Sequence, residues 1–207
     1  MSEIRDLDLR FDRQAQRVIS SRVFARDENE WYVEPSWCSA RLFQCEPFIG
    51  DIWDPCCGGG RIVHAARESG YRASGSDVAD RGFGGVWVAD FLQIEPLGNV
   101  NSIVCNPPFR LMEAFARHAF SLRTTVKLAM IFPTARLHAA HWIAALPLRR
   151  VWLMTPRPSM PPGTYIAAGG KVGGGKVDYC WLVFERGYDG HPEMRWLRRD
   201  GGDHAGP

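Results

Sequence analysis

Asn106-Pro107-Pro108-Phe109 carries the most specific chemistry in this sequence. Consecutive prolines neither donate to a β-ladder nor continue a strand, and a residue ahead of proline is pushed out of the α region. Asn106 must therefore project, extended, from a rigid turn. There its side-chain oxygen and the Pro107 carbonyl can each accept one N–H of a planar amino group. An amino group on an aromatic ring is a poor nucleophile because its lone pair is delocalised; acceptors on both N–H bonds localise the pair and aim it at an electrophile. Phe109 offers a ring on which a flat acceptor can stack.

A second cluster lies upstream. Ile52-Trp53-Asp54 runs into Pro55-Cys56-Cys57-Gly58-Gly59-Gly60, after which the sequence reads as a helix. A glycine-rich strand-to-helix turn lets a ligand touch bare backbone amides and places its polar groups at a helix N-terminus, although a tight turn needs glycine whether or not anything binds. Asp77 and Asp90 each close a further apolar stretch. At the end of a strand such a carboxylate can accept from ribose hydroxyls or merely cap the next turn.

These residues need a scaffold that brings strand ends together. Short apolar runs at 50–54, 72–77, 86–89, 101–105, 126–132, 151–154 and 177–185 read as strands, with helical stretches at 60–69, 110–121 and near 136–145. The alternation predicts an α/β, Rossmann-like, seven-stranded, mostly parallel, doubly wound sheet with helices on both faces. Its carboxyl edge would collect Asp54, Asp77, Asp90 and Asn106. Pro35 ahead of Ser36 predicts a further helix over 37–44, entered through a fixed turn flanked by Tyr32 and Trp37.

Residues 1–30 mix charges with spaced apolar positions and read as an N-terminal helical cap; 31–186 form the catalytic-type domain, and 187–207 a polar, flexible tail. Thr155 to Lys176 is a long Gly/Pro-rich loop whose Arg157, Lys171 and Lys176 are candidate phosphate contacts in a nucleic acid. With 25 Lys and Arg against 23 Asp and Glu, the net charge is +2, so a nucleic acid would have to meet a local basic surface. The six cysteines show no C-x-x-C metal spacing and no secreted-scaffold density. No apolar run approaches the roughly 20 residues needed to span a bilayer. No metal site is expected, since His138 and His141 lack a third ligand, and a cytoplasmic protein without membrane contact is expected.

DPCCGGG (54–60), the acid at Asp77, ADF (89–91) and NPPF (106–109) occur in the order and spacing of the class I amino-methyltransferases, and resemble the N6-adenine DNA methyltransferases in particular. Tyr32-Val33-Glu34-Pro35 resembles the motif that precedes the glycine turn in the small members whose cofactor motifs come first; the family usually has Thr where this chain has Glu34. The resemblance spans 31–186. It implies S-adenosyl-L-methionine as cofactor, with Tyr32 and Pro35 lining its pocket. Asp54, Gly58 and Gly60 would face its methionine part, with Cys56 also among the cofactor-binding residues, Asp77 would hold the ribose, and Asp90 and Phe91 would contact its adenine. Asn106, Pro107, Pro108 and Phe109 would hold a flipped adenine of DNA. The same four-residue motif also serves RNA adenine-N6 methyltransferases and, with Tyr last, protein glutamine N-methyltransferases. A non-catalytic cofactor-binding module is a further alternative, which the intact catalytic turn disfavours.

Overall fold

The computed structural model describes residues 30–95 and 99–201. The expected N-terminal cap lies, apart from Glu30, outside the described residues. Five strands run parallel from one edge: β3 (Trp87–Val88), β2 (Ala73–Asp77), β1 (Asp51–Asp54), β4 (Val100–Cys105) and β5 (Lys127–Pro133). Beyond β5 comes the antiparallel β7 (Tyr179–Glu185), then β6 (Leu148–Thr155), and last β8 (Glu193–Arg198), giving the order β3-β2-β1-β4-β5-β7-β6-β8.

Burial on both faces explains why β5 and β7 read as unbroken apolar runs. Leu128, Met130 and Phe132 of β5 face one core layer with Cys180, Leu182 and Phe184 of β7, under helix α3 (Met112–Ser121). Ala129 and Ile131 face the other with Trp181 and Val183, under α1 (Ser36–Cys45) and α2 (Arg61–Glu68). Helices thus cover both faces, and no helix among the described residues is long and apolar enough to cross a membrane.

The sheet has eight strands rather than the expected seven. Glu193–Arg198, read from sequence as part of a flexible tail, forms β8 along β6, with Leu197 fully buried. The helix expected near 136–145 is instead two 3-10 segments, Thr134–Ala139 and His141–Ala145, parted at Ala140 by a non-helical backbone with ψ of 69°. Pro147 then holds Leu146 extended and ends the segment.

Strand order reverses between β1 and β4, whose carboxyl ends lie side by side. In open α/β sheets this switch point leaves a crevice that no crossover helix fills. Asp54 ends β1, and Asn106 follows the last residue of β4.

Candidate active site

The crevice at the switch point is a cavity of about 620 Å³, within the range that holds a cofactor-sized ligand. Its floor is the glycine turn, drawn onto the strand ends by three bonds. The Cys56 N–H donates to Asp54 Oδ1 at 3.2 Å, that of Cys57 to the Ser76 carbonyl at 2.9 Å, and that of Gly58 to Asp77 Oδ2 at 2.9 Å. Gly60 starts α2 with a φ of 79°, and a methyl group there would collide with the Phe83 ring, so both conformation and space demand glycine.

Of the residues expected around a cofactor, Tyr32, Asp54, Cys56, Gly58, Asp77, Asp90 and Phe91 all lie on the cavity wall. Pro35 and Gly60 lie off the wall and act through the backbone, as the caps of α1 and α2. Asp90 Oδ1 accepts from the Leu92 N–H at 3.0 Å, and Phe91 is packed into the core against Trp53 and Phe115. Asp77 Oδ1 faces Arg81 Nε at 3.4 Å, so this acid meets one cation already.

Asp54 is different. Only 1% exposed, it leaves Oδ2 without a hydrogen-bond partner. Burial, opposed by the Cys56 amide but reinforced by the nearby Glu34 and Asp77 carboxylates, raises its pKa well above the usual carboxylate range. Glu34 is also buried, and desolvation likewise raises its pKa against the hydrogen bond from Asn106 and the attraction of Arg61. A cavity walled both by the buried acids Glu34 and Asp54 and by the apolar Val78, Phe91 and Leu92 suits a ligand that carries a cationic donor and a flat ring.

The Asn106 amide sits against the buried Glu34. Its Nδ2 donates to the Tyr32 carbonyl at 2.9 Å and to Glu34 Oε2 at 3.1 Å. Both N–H bonds are consumed, so Oδ1 is the end of the amide left to accept. Pro108 shares the cavity wall, whereas Pro107 is buried and Phe109 lies behind the wall. There the Phe109 ring stacks on Tyr32 with centroids 5.8 Å apart and 8° between planes, and lies 5.9 Å from Tyr179.

The basic residues of the 155–176 loop are not part of the cavity. Arg157 is bidentate on Asp178, at 2.7 and 3.0 Å, and the Lys171 carbonyl accepts from the Tyr165 hydroxyl. Lys176 likewise lies off the wall. The loop contributes instead α4 (Gly163–Ala167), whose Ile166 and Ala167 roof the cavity. It is stitched to the Tyr32 segment by the Val33 N–H on the Pro161 carbonyl, 2.9 Å, and the Gly163 N–H on the Trp31 carbonyl, 2.8 Å. His138 and His141 border a separate hollow, and among the described residues no group of three His, Cys, Asp or Glu could hold a metal.

Trp31 and Glu34 are the principal residues that reasoning from sequence did not place in the site. The Trp31 indole seats against Gly163, where any side chain would collide with it, and Arg81 stacks on it 4.6 Å from the ring centre. Neither contact has a local sequence signal, because Gly163 belongs to the distant loop.

No family model matches the chain, and no curated protein does. Solved structures do. The M protein of the type I restriction enzyme EcoKI is 14% identical with a TM-score of 0.54, covering 81% of this chain and 48% of that one. A predicted O-methyltransferase from Agrobacterium tumefaciens is 16% identical with a TM-score of 0.52, covering 79% and 85%. A protein from Pyrococcus horikoshii put forward as an RNA methyltransferase is 13% identical with a TM-score of 0.52, covering 73% and 88%. At these identities the likeness is one of fold: the chain shares the Rossmann-like sheet of methyltransferases.

Proposed function

We propose that the chain is an S-adenosyl-L-methionine-dependent methyltransferase acting on adenine N6 in DNA. The observation that carries the reading is the Asn106 amide, fixed with its nitrogen toward Tyr32 and Glu34, beside a buried carboxylate oxygen that lacks a donor. The cofactor fits what the cavity asks for. Its ammonium would supply the donor that Asp54 Oδ2 lacks, its net positive charge suits the buried acids, and its adenine suits Phe91 and Leu92, with Asp90 and Asp77 available to its polar edge and ribose.

When bound, the cofactor supplies a methyl group activated by positively charged sulfur. The chain's own part is to hold the acceptor. Asn106 Oδ1 and the Pro107 carbonyl would take the two N–H bonds of the amino group, localising its lone pair and orienting it toward the cofactor. Phe109 is engaged by Tyr32 and Tyr179, so the aromatic contact with the base is assigned to this row as a unit rather than to Phe109 alone. The final Phe of the motif and the Tyr32–Pro35 segment favour a nucleic-acid base, and DNA over RNA.

The test offers the purified chain methyl-labelled cofactor with DNA, RNA and protein in parallel, followed by nucleoside analysis. N6-methyldeoxyadenosine is expected. Label found only in protein, or in none of the three, overturns the reading, and label confined to RNA overturns the choice of DNA. Asn106→Ala should keep cofactor binding and lose at least about 100-fold in turnover, the scale of removing one acceptor from a preorganised site.

A further inference from the structure

We propose that Glu34 is the positioning residue of this site, whose ionised carboxylate fixes which end of the Asn106 amide faces the acceptor; the assignment rests on the N-methyltransferase reading above. An amide is nearly symmetric in shape, so only its hydrogen-bond partners decide which end points where. Here both partners on the Nδ2 side, the Tyr32 carbonyl and Glu34 Oε2, are acceptors. Turning the amide over would press Oδ1 against two oxygens. The carboxylate makes this discrimination strong, because a charge-assisted bond is roughly twice a neutral one.

Glu34 is itself held from several sides. Pro35 keeps its backbone extended, Arg61 donates to its carbonyl at 2.9 Å, and the preceding Val33 N–H is bound to Pro161. The residue is 5% exposed, so no water competes freely for Asn106. A hydroxyl at this position could donate as well as accept and would tolerate either amide orientation; an ionised carboxylate only accepts.

Protonation changes this. A neutral Glu34 carries an O–H that could satisfy Oδ1 in the reversed amide, so discrimination weakens in acid. The charged and titratable groups facing Glu34 are Arg61 from α2, Asp54 from the end of β1 and Cys38 from α1, with the neutral Asn106 from the end of β4. Burial opposes ionisation, and the backbone hydrogen bond, the Asn106 amide and Arg61 favour it. A bound cationic cofactor would favour it further.

The test compares wild type with Glu34→Gln, which keeps the shape and removes a buried charge, so folding should not suffer. Turnover should fall about 10- to 100-fold with acceptor KM within about twofold, the scale of weakening one preorganised hydrogen bond, while cofactor Kd rises by less than turnover falls, because a carboxylate facing the cationic cofactor is also lost. The acid limb of the turnover–pH profile should flatten. Independently of activity, the Asn106 side-chain amide signals in 15N-labelled protein, assigned by their loss in Asn106→Ala, should move with pH in wild type and stand still in Glu34→Gln. Turnover and pH profile indistinguishable from wild type, or amide signals indifferent to both pH and the substitution, overturn the proposal. If the wild type methylates nothing, the function reading falls by itself and the amide signals decide the role of Glu34.

Discussion

Helix α1 is flanked by two glutamates, each directly ahead of a proline, and their fates are opposite. Glu34-Pro35 enters the helix at the carboxyl edge of the sheet; Glu46-Pro47 leaves it at the amino edge, about 15 Å away at the helical rise per residue. Both residues are buried, at 5% and 1% exposure. Glu46 is saturated: Lys127 Nζ lies 2.9 Å away, an Arg150 guanidinium nitrogen 2.6 Å, and the Trp152 indole N–H donates at 2.9 Å. Burial alone would raise its pKa, but these three partners bring it below the usual range. Glu34 instead spends its carboxylate on a neutral amide, and its neighbour Asp54 leaves one oxygen unpartnered. A paired carboxylate ties helix to strands; an under-paired one holds capacity for a ligand.

The largest effect that could break this comparison is on stability. Glu46→Gln would leave Lys127 and Arg150 buried beside a neutral group, with Glu185 and Glu193 as the carboxylates that remain to them and the Pro47 carbonyl still accepting from Lys127 at 2.8 Å. A loss of about 3 kcal/mol is expected in urea unfolding, against less than about 0.5 kcal/mol for Glu34→Gln. Equal losses at the two positions would erase the distinction.

Asp54→Asn reverses the pattern. Cofactor affinity should fall about 10- to 100-fold by calorimetry, the scale of one charged hydrogen bond, while the unfolding midpoint stays level or rises because a desolvated charge is gone. A variant that unfolds more easily yet binds as wild type would make Asp54 a structural residue.

The pH dependences should also oppose each other, with a smaller effect of about 1 kcal/mol. The folded pKa of Glu46 is lowered, so its stabilisation is present above the unfolded carboxylate value and is lost as pH falls through the folded value. Glu34 and Asp54 have raised folded values, so their stabilisation is full below the unfolded value and is lost as pH rises through the folded ones. A cationic ligand should favour the ionised form of both acids and so lower their raised values, releasing protons on binding at a pH near the folded values. Titrations in buffers of different ionisation enthalpy measure this; buffer-independent heats would rule it out.

The same contrast between local and distant partners sets what could be read from sequence. β5 and β7 were legible because burial on both faces demands an apolar residue at every step, and Asn106-Pro107-Pro108 was legible because prolines act on their own neighbours. β8 was not, since only Leu197 in it is fully buried and its register comes from backbone pairing with β6. Glu34 showed only as a departure from a motif, because the residue that gives it meaning, Asn106, is 72 positions away. Phe109 was identified as a stacking ring, but Tyr32 and Tyr179, which engage it, come together only in the fold.

The smallest effect concerns Arg157, a cation that sequence reading offered to a phosphate and that the fold pairs with Asp178. Both side chains of this pair are about half exposed, at 49% and 62%, so Arg157→Ala should change stability by less than about 1 kcal/mol. Its effect on nucleic-acid affinity is the sharper measurement. A phosphate would have to compete with a bidentate carboxylate, so removing Arg157 should leave the salt dependence of DNA binding unchanged, whereas Asp178→Asn, which frees the guanidinium, should steepen it by about one counterion. A shallower slope in Arg157→Ala would mean that the ion pair opens for DNA, and that an exposed pair, unlike the buried Glu46 cluster, keeps its cation available to a partner.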